Sequence, residues 1–256
     1  MEPASFEQAS SLLVGAREWL GEHVAGGWSL RHGDQVASVT GLAAATMNGV
    51  WSARPDPERL PQLLSAVRDA GLPYCAQFVS GSAEGRGAAA GAGLVRDEDM
   101  PLMYTAARPD PVTVTGLRIR RLGPADVGLH AEIAAAGFGA PPALFSPITR
   151  LGSAEGSALR FYVAELDGEP VATGLGLILE EHVGVFNIAT PPEHRRKGYG
   201  SAVTARIVED ALVEGARGAW LQSSPEGHAV YRRLGFADVG AWECWVSPSA
   251  ESDPDA

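Results

Sequence analysis

Lysine is almost absent from this sequence: Lys197 stands alone beside nineteen arginines. Basic residues number 20 against 31 acidic ones, for a formal charge of -11 and a pI near 5.0. That balance argues against a nucleic-acid partner, because a duplex binder needs a basic face to neutralise phosphates. Cysteine is nearly as scarce. Cys75 and Cys244 are too few and too far apart for a disulfide framework or a zinc site, and a reducing compartment is the simpler reading. The six histidines show no His-Glu-x-x-His or Cys/His ligand spacing, so no metal is expected. No Gly-x-Ser-x-Gly elbow supports a hydrolase. No run of about 18 apolar residues occurs. "MEPASFEQAS" lacks both a basic n-region and an apolar h-region, so no membrane partner is expected and the cytoplasm is the expected location.

What is present describes a globular chain: 45% apolar, 20% charged, with a mean hydropathy near zero. Its 256 residues suffice for one large domain or two ordinary ones, and two fit better. Residues 5–25 place Leu12, Leu13, Ala16, Trp19 and Leu20 at helical spacing. "QVASVTGLAAATMNGVW" reads as strand material. "PDPERLPQLLSAVRDAG" reads as a helix that starts on Pro and acidic residues and stops at Gly71. "PYCAQFV" is a strand, "GSAEGRGAAAGAG" a loop or weak helix, and "LVRDEDMPLMYTA" a strand again. "ARPDPVTVTG", with two prolines and little apolar periodicity, marks the boundary.

Beyond it, "LRIRRL" predicts a strand and 123–139 a helix with Ala131, Ile133, Ala134 and Phe138 on or near its inner face. "APPALFSPITRLGSAEGSA" is a Pro/Gly-rich loop or broken helix. Residues 159–190 give three β-rich runs joined by "DGEP" and "EEH". A helix over 201–214 carries Val203, Ile207, Val208, Ala211 and Leu212 on one face. A strand "AWLQSS", a short helix "PEGHAVYRRLG" and a last strand or hairpin "FADVGAWECWVS" follow. Trp242 and Trp245 there read as core, with a pocket wall as the lesser alternative. Domains are expected at 1–112 and 113–248, with a disordered acidic tail at 249–256. The halves also echo each other in order, strand, small-residue turn, helix-like stretch, Gly with an apolar residue, then strand, as an internal duplication would leave them.

The sharpest signal is "RRKGYG". The first turn of a helix leaves backbone N–H groups unpartnered at the positive end of the macrodipole. Gly198 and Gly200 let the chain turn there and come close to a ligand, while Arg195, Arg196 and Lys197 add charge. A dinucleotide fingerprint needs a third glycine at position 203, which is Val. A P-loop needs Gly-Lys-Ser/Thr, whereas here Lys precedes Gly. An exposed basic turn capped by glycines is the bland alternative.

From about Gly116 to Val246 the order of motifs resembles the GNAT superfamily of acyl-CoA-dependent N-acyltransferases. "RRKGYG" matches its Arg/Gln-x-x-Gly-x-Gly/Ala loop through Arg195, Gly198 and Gly200. "NIATPPEHRRKGYGSAV" is similar to its cofactor-holding strand, loop and helix, and "SSPEGHAVYRRLGF" resembles its second motif. The resemblance implies an α/β (α+β) fold built on a mixed, mostly antiparallel sheet flanked by helices, in two GNAT-like halves. The first half, without a phosphate loop, would be degenerate.

The resemblance further implies acetyl-CoA as co-substrate. Ile188, Ala189 and Thr190 would offer backbone groups to the pantetheine arm and oxyanion. Arg195, Arg196, Lys197, Gly198, Tyr199, Gly200 and Ser201 would wrap the diphosphate. Ser224 stands where the family often has an Asn, and Tyr231 where it commonly carries the catalytic tyrosine, an acid for the departing sulfur. No general base declares itself: Glu180, Glu181 and His182 sit in a turn, and Asn187 could order a water. The expected activity is transfer of an acetyl group to a primary amine of a small molecule or peptide. A non-catalytic acyl-CoA-binding module is the alternative, and a homodimer is compatible with either.

Overall fold

The computed structural model describes residues 5–154 and 156–248; the tail read at 249–256 lies outside them. Along the chain, α1 (Phe6–His23), β1 (Trp28–His32), β2 (Gln35–Val39), β3 (Asn48–Ser52), α2 (Leu60–Arg68), β4 (Cys75–Val79), α3 (Ala83–Gly91) and β5 (Val95–Thr105) come first. Then follow β6 (Leu117–Arg121), α4 (Gly128–Phe138), α5 (Ser146–Gly152), β7 (Leu159–Leu166), β8 (Glu169–Leu179), β9 (His182–Ala189), α6 (Tyr199–Val213), β10 (Gly218–Gln222), α7 (Pro225–Arg233) and β11 (Ala237–Val246). This is a mixed α/β fold, mostly antiparallel in its strands. No helix among the described residues is long and apolar enough to cross a membrane.

Two compact units emerge, one of Phe6–Leu102 with the chain from Val239 onward, the other of Met103–Asp238. In the first unit the strands run β1-β2-β3-β4-β11-β5. β1, β2 and β3 form an antiparallel meander, and β3 and β4 are parallel, paired from Gly49↔Cys75 to Ser52↔Phe78. One face of α2, Leu60, Leu63, Leu64 and Val67, is buried against Val39, Val50, Ala76 and Phe78. Gly71 at φ 69° follows its end as the sequence suggests, whereas the helix opens at Leu60, past the Pro and acidic residues of 55–58, with Pro61 in its first turn. The small-residue run also forms a helix, α3, because the Ser82 hydroxyl accepts the Gly85 N–H at 3.0 Å and caps it.

The division into compact units differs from the expected domains in two ways. The boundary falls at 102/103 rather than 112/113, and β11, expected to close the second domain, belongs to the first unit. There it pairs antiparallel with β4, from Trp242↔Val79 to Val246↔Cys75. Trp242 is wholly buried, and Trp245 packs on Phe78 and donates its indole N–H to Glu243. Trp242 is therefore core, as the main reading of the sequence had it, and Trp245 is half-buried against that core. Glu243 lies buried between them, 2.6 Å from the Arg86 guanidinium. Those hydrogen bonds, with a further one from the Gly81 N–H, hold its carboxyl down at about 2.

In the second unit the strands run β5-β10-β9-β8-β7-β6, with only the last residues of β5 taking part. β6 to β9 form an antiparallel meander, and β9 and β10 are parallel. The β7–β8 turn places Asp167 and Gly168 at φ 52° and 86°; the β8–β9 turn does the same with Glu180 and Glu181 at 48° and 58°. Both are the positive-φ geometry that matches strand twist. Helix α6 buries Val203, Ile207, Val208 and Ala211 against Tyr162, Val171, Val183 and Val185.

Close strand packing sets a sharp test. A Cβ on Gly49 would lie 2.3 Å from the Cys75 carbonyl oxygen, which the sheet cannot move. Gly49→Ala is expected to cost about 1–3 kcal/mol in urea unfolding. Gly87→Ala, in the exposed middle of α3 with nothing within 4 Å, is expected to gain about 0.5–1 kcal/mol.

Candidate functional site

The site begins with an irregularity in β9. Pairing with β8 runs from Leu179↔His182 to Leu175↔Phe186 and resumes at Thr173↔Ala189, so Asn187 and Ile188 together face Gly174. One extra residue on one strand is a β-bulge. Asn187 takes it up at φ 50°, a conformation Asn tolerates better than most residues. Gly174 makes room: a Cβ there would fall 2.4 Å from Ile188 Cδ1 and 2.9 Å from Val203 Cγ1. On the other side, β9 and β10 pair only from His182↔Gly218 to Gly184↔Trp220. Past that point they separate, and the outer edge of β9 toward Ala189 has no strand neighbour.

The basic loop follows that free edge. Pro191 and a 3₁₀ turn, Pro192–His194, lead to Arg195; Arg196 adopts φ 60° and Gly198, the N-cap of α6, φ 84°. The first hydrogen bond of α6 is Ala202 N–H to Gly198 O at 3.0 Å. The amides just before Ala202 have no intrahelical acceptor, and no side chain caps this end. A Cβ on Gly200 would sit 3.3 Å from Ile188 Cγ2 and 3.5 Å from Thr190 Oγ1, so the bare glycine brings the helix start against the strand end.

The first unit treats the corresponding turn differently. Asp56 Oδ1 accepts the Glu58 and Arg59 N–H groups at 2.8 and 3.2 Å, and these bonds lower its carboxyl pKa. There the protein supplies its own anion, and β3 and β4 stay paired to the end of β3.

The three cations divide their roles. Arg195 donates from Nε to Thr190 O at 3.2 Å and from Nη2 to Gly137 O at 2.7 Å, clasping the loop to the ends of β9 and α4. Lys197 Nζ donates to Glu193 O at 3.2 Å, within the loop. Arg196 is exposed. Tyr199 is only 5% exposed and belongs to the core with Val203, so its backbone, not its ring, faces the opening. Ser201 is half-buried in the first turn of α6. The anion-binding capacity of the loop thus lies in its amides more than in its side chains.

Helix α7 leaves the same end of the sheet, after β10. The Ser224 hydroxyl accepts the Gly227 N–H at 3.2 Å and caps it, an engagement that the sequence does not announce. The neighbouring Ser223 Oγ is buried without a hydrogen-bond partner among the described residues. Tyr231 lies two turns into α7, its ring edge-on to Phe236 at 6.1 Å and accommodated by Gly227, where a Cβ would stand 2.9 Å from the ring. Burial pushes its phenol up to about 12.

Glu180, Glu181 and His182 stand at the opposite end of the eight-residue β9, about 23 Å from Ala189 at ~3.3 Å per residue. Glu181 pairs there with Arg217 at 2.7 Å, which removes all three as candidate bases. His130, which sequence reading passes over, is fully buried on α4. Thr173 Oγ1 donates to Tyr162 O and so receives the His130 Nδ1–H at 2.7 Å. Burial brings the imidazole down to about 3, so it is neutral and structural. Among the described residues, no group of three or more His, Cys, Asp or Glu could hold a metal ion.

With this geometry in view, part of the chain can be set beside a known family. Residues 134–236 match the acetyltransferase (GNAT) family. Similar solved structures include a GCN5-related N-acetyltransferase from Kribbella flavida, at TM-score 0.72 and 20% identity over 98% of each chain. Another, from Sphaerobacter thermophilus, has TM-score 0.62 and 17% identity over 85% of this chain and 82% of that one. A tandem GNAT protein from the clavulanic acid biosynthesis pathway has TM-score 0.55 and 18% identity, over 86% and 82%. At such identities the likeness is one of fold, and it extends through both units. No curated protein matches the chain significantly. Family and fold together support acyl transfer as the general chemistry.

Because Arg195 closes the loop from an exposed position, its removal should cost little globally and much locally. Arg195→Met is expected to lower unfolding free energy by about 1 kcal/mol. In hydrogen exchange, amide protection over 188–201 should fall while that of α2 stays unchanged. Uniform loss of protection would contradict the clasp.

Proposed function

We propose that the chain transfers an acetyl group from acetyl-CoA to a primary amine of a small molecule or peptide, and that the Met103–Asp238 unit carries the reaction. The observation that carries this reading is the uncapped start of α6 beside the free edge of β9. The residues present suit the acyl carrier: unpartnered amides for a diphosphate, a bare Gly200 where a Cβ would crowd the approach, and a buried Ser223 hydroxyl lacking a partner. When bound, acetyl-CoA supplies an activated acyl thioester.

On this reading the backbone from Gly198 to Ser201 holds the diphosphate by hydrogen bonds that the helix dipole strengthens. Arg196, exposed beside it, adds charge. The outer-edge backbone of Ile188 and Ala189 and the N–H of Thr190, whose carbonyl is held by Arg195, meet the extended arm, and an N–H at Ala189 or Thr190 faces the oxygen on which negative charge develops. Tyr231 serves the departing sulfur. With its phenol near 12 and an ordinary thiol near ~8.5, complete proton transfer to a thiolate runs uphill. Tyr231 therefore acts first as a hydrogen-bond donor that stabilises charge on sulfur. The acceptor must reach the site as a neutral amine. No carboxylate or imidazole of this unit is assigned to deprotonate it, and the bulge at Asn187 offers a side-chain amide that can order a water.

Release of free thiol from acetyl-CoA across a panel of primary amines tests the reading. Turnover of at least one amine is expected, and Tyr231→Phe should lower kcat at least tenfold with the KM for acetyl-CoA within about twofold. Since the raised pKa keeps Tyr231 protonated, kcat should show no falling limb below pH 10. Full turnover by the variant would remove Tyr231 from the mechanism, and no turnover of any amine would reject the activity.

A further inference from the structure

One side chain at the site contradicts its helical position. Periodicity places Phe138 on or near the inner face of α4, yet it is 52% exposed. It lies parallel to the half-buried Phe145, with ring centroids 5.9 Å apart at 17°. A stacked phenylalanine pair open to solvent is uncommon on a folded surface unless it meets something. The residue before it fixes its location. A Cβ on Gly137 would lie 2.8 Å from Ala189 Cβ and 3.1 Å from the Thr190 nitrogen, and Gly137 O accepts the Arg195 guanidinium. The helix end that carries Phe138 therefore packs through Gly137 on the strand end assigned to the thioester, and is tied there to the loop assigned to the diphosphate.

The charge of this wall narrows what it can accept. From Gly137 to Ala154 the only charged residue is Arg150, and the next acid, Glu155, lies outside the described residues. An acceptor with several ammonium groups needs carboxylates around it. This wall supplies ring faces, prolines and alanines instead, with Pro141, Pro142 and Ala143 exposed between the two rings.

Resting on the acetyl-transfer reading, we propose that Phe138 and Phe145 wall the acceptor site and select a primary amine borne on an aromatic or flat apolar body rather than a polycation. Ring faces attract such a body by stacking and by burial of apolar area, and they offer a second ammonium nothing that replaces its water.

The test compares kcat/KM for 2-phenylethylamine, n-butylamine and spermidine at saturating acetyl-CoA. The aromatic amine should lead both others by roughly tenfold or more. Phe138→Ala should shrink that lead, chiefly through KM, and Phe138→Trp should restore it. Phe145→Leu, should the alanine variant fold poorly, should shrink the lead in the same direction. Spermidine turned over as well as the aromatic amine, or a lead untouched by both variants, overturns the aromatic wall while leaving acetyl transfer standing. Turnover of none of the three, with no other primary amine accepted either, removes the acetyl-transfer reading and this one with it. A wild-type dimer that Phe138→Ala converts to monomer, with the lead unchanged, would assign the rings to a second copy instead.

Discussion

A helix start without its own anion is the constraint on which the second unit depends. Among the described residues seven α-helices flank the strands, and each must satisfy the amides of its first turn from somewhere. Ser82 and Ser224 do this for α3 and α7, and Asp56 does it for the turn entering α2. At α6 the N-cap is Gly198 in a left-handed conformation, with no side-chain acceptor. Such amides are met by water, by 3₁₀-type bonds, as where α4 and α5 also start without a side-chain cap, or by a bound anion. The separated β9 and β10, the bulge at Asn187 and the clasp of Arg195 all serve to hold that open end at a fixed place.

The two units make the point by contrast. Both place two parallel strands with a helix after each: β3-α2-β4-α3 in one, β9-α6-β10-α7 in the other. The first unit keeps its strands paired from Gly49 to Ser52 and closes its helix entrance with Asp56. Where the second unit opens its strand pair after Gly184, it also omits the capping carboxylate. Similar architecture thus yields one helix start filled by a carboxylate and one that no side chain fills, decided by a few residues in one loop. Why β11 joins β4, when the repeat alone would set β5 there, has a local component: Trp242, Cys244 and Glu243, the last held by the exposed Arg86, bury well against that edge.

Much of this was legible in the sequence. The period of the apolar residues located the helices and most strands, and the glycines of "RRKGYG" located a left-handed N-cap and a close approach. Features fixed by distant partners were not legible. That Arg195 clasps Gly137 O could not be read, because that acceptor lies far back in the chain. Tyr199 read as part of the cradle, which its backbone alone can join, since its ring fills the core. The half-exposed β1 carries little apolar alternation, and β11 changed units because strand pairing follows edge complementarity and not proximity along the chain. His130 gave no signal, since a lone buried histidine looks in sequence like any other. Asn187 offered the faintest one: a residue tolerant of positive φ near the end of a β-branched run.

The central claim is that the open amides of α6 are where the acyl carrier binds. Titrating coenzyme A into the 15N-labelled protein, with the amides of Gly198, Tyr199, Gly200 and Ser201 followed beside those of Glu58 and Arg59, tests it directly. The account predicts one equivalent bound per chain, large saturable shifts at the α6 start and none at the Asp56-capped turn. Binding that leaves Gly198 to Ser201 unmoved, or that shifts Glu58 and Arg59 in parallel with them, would contradict it.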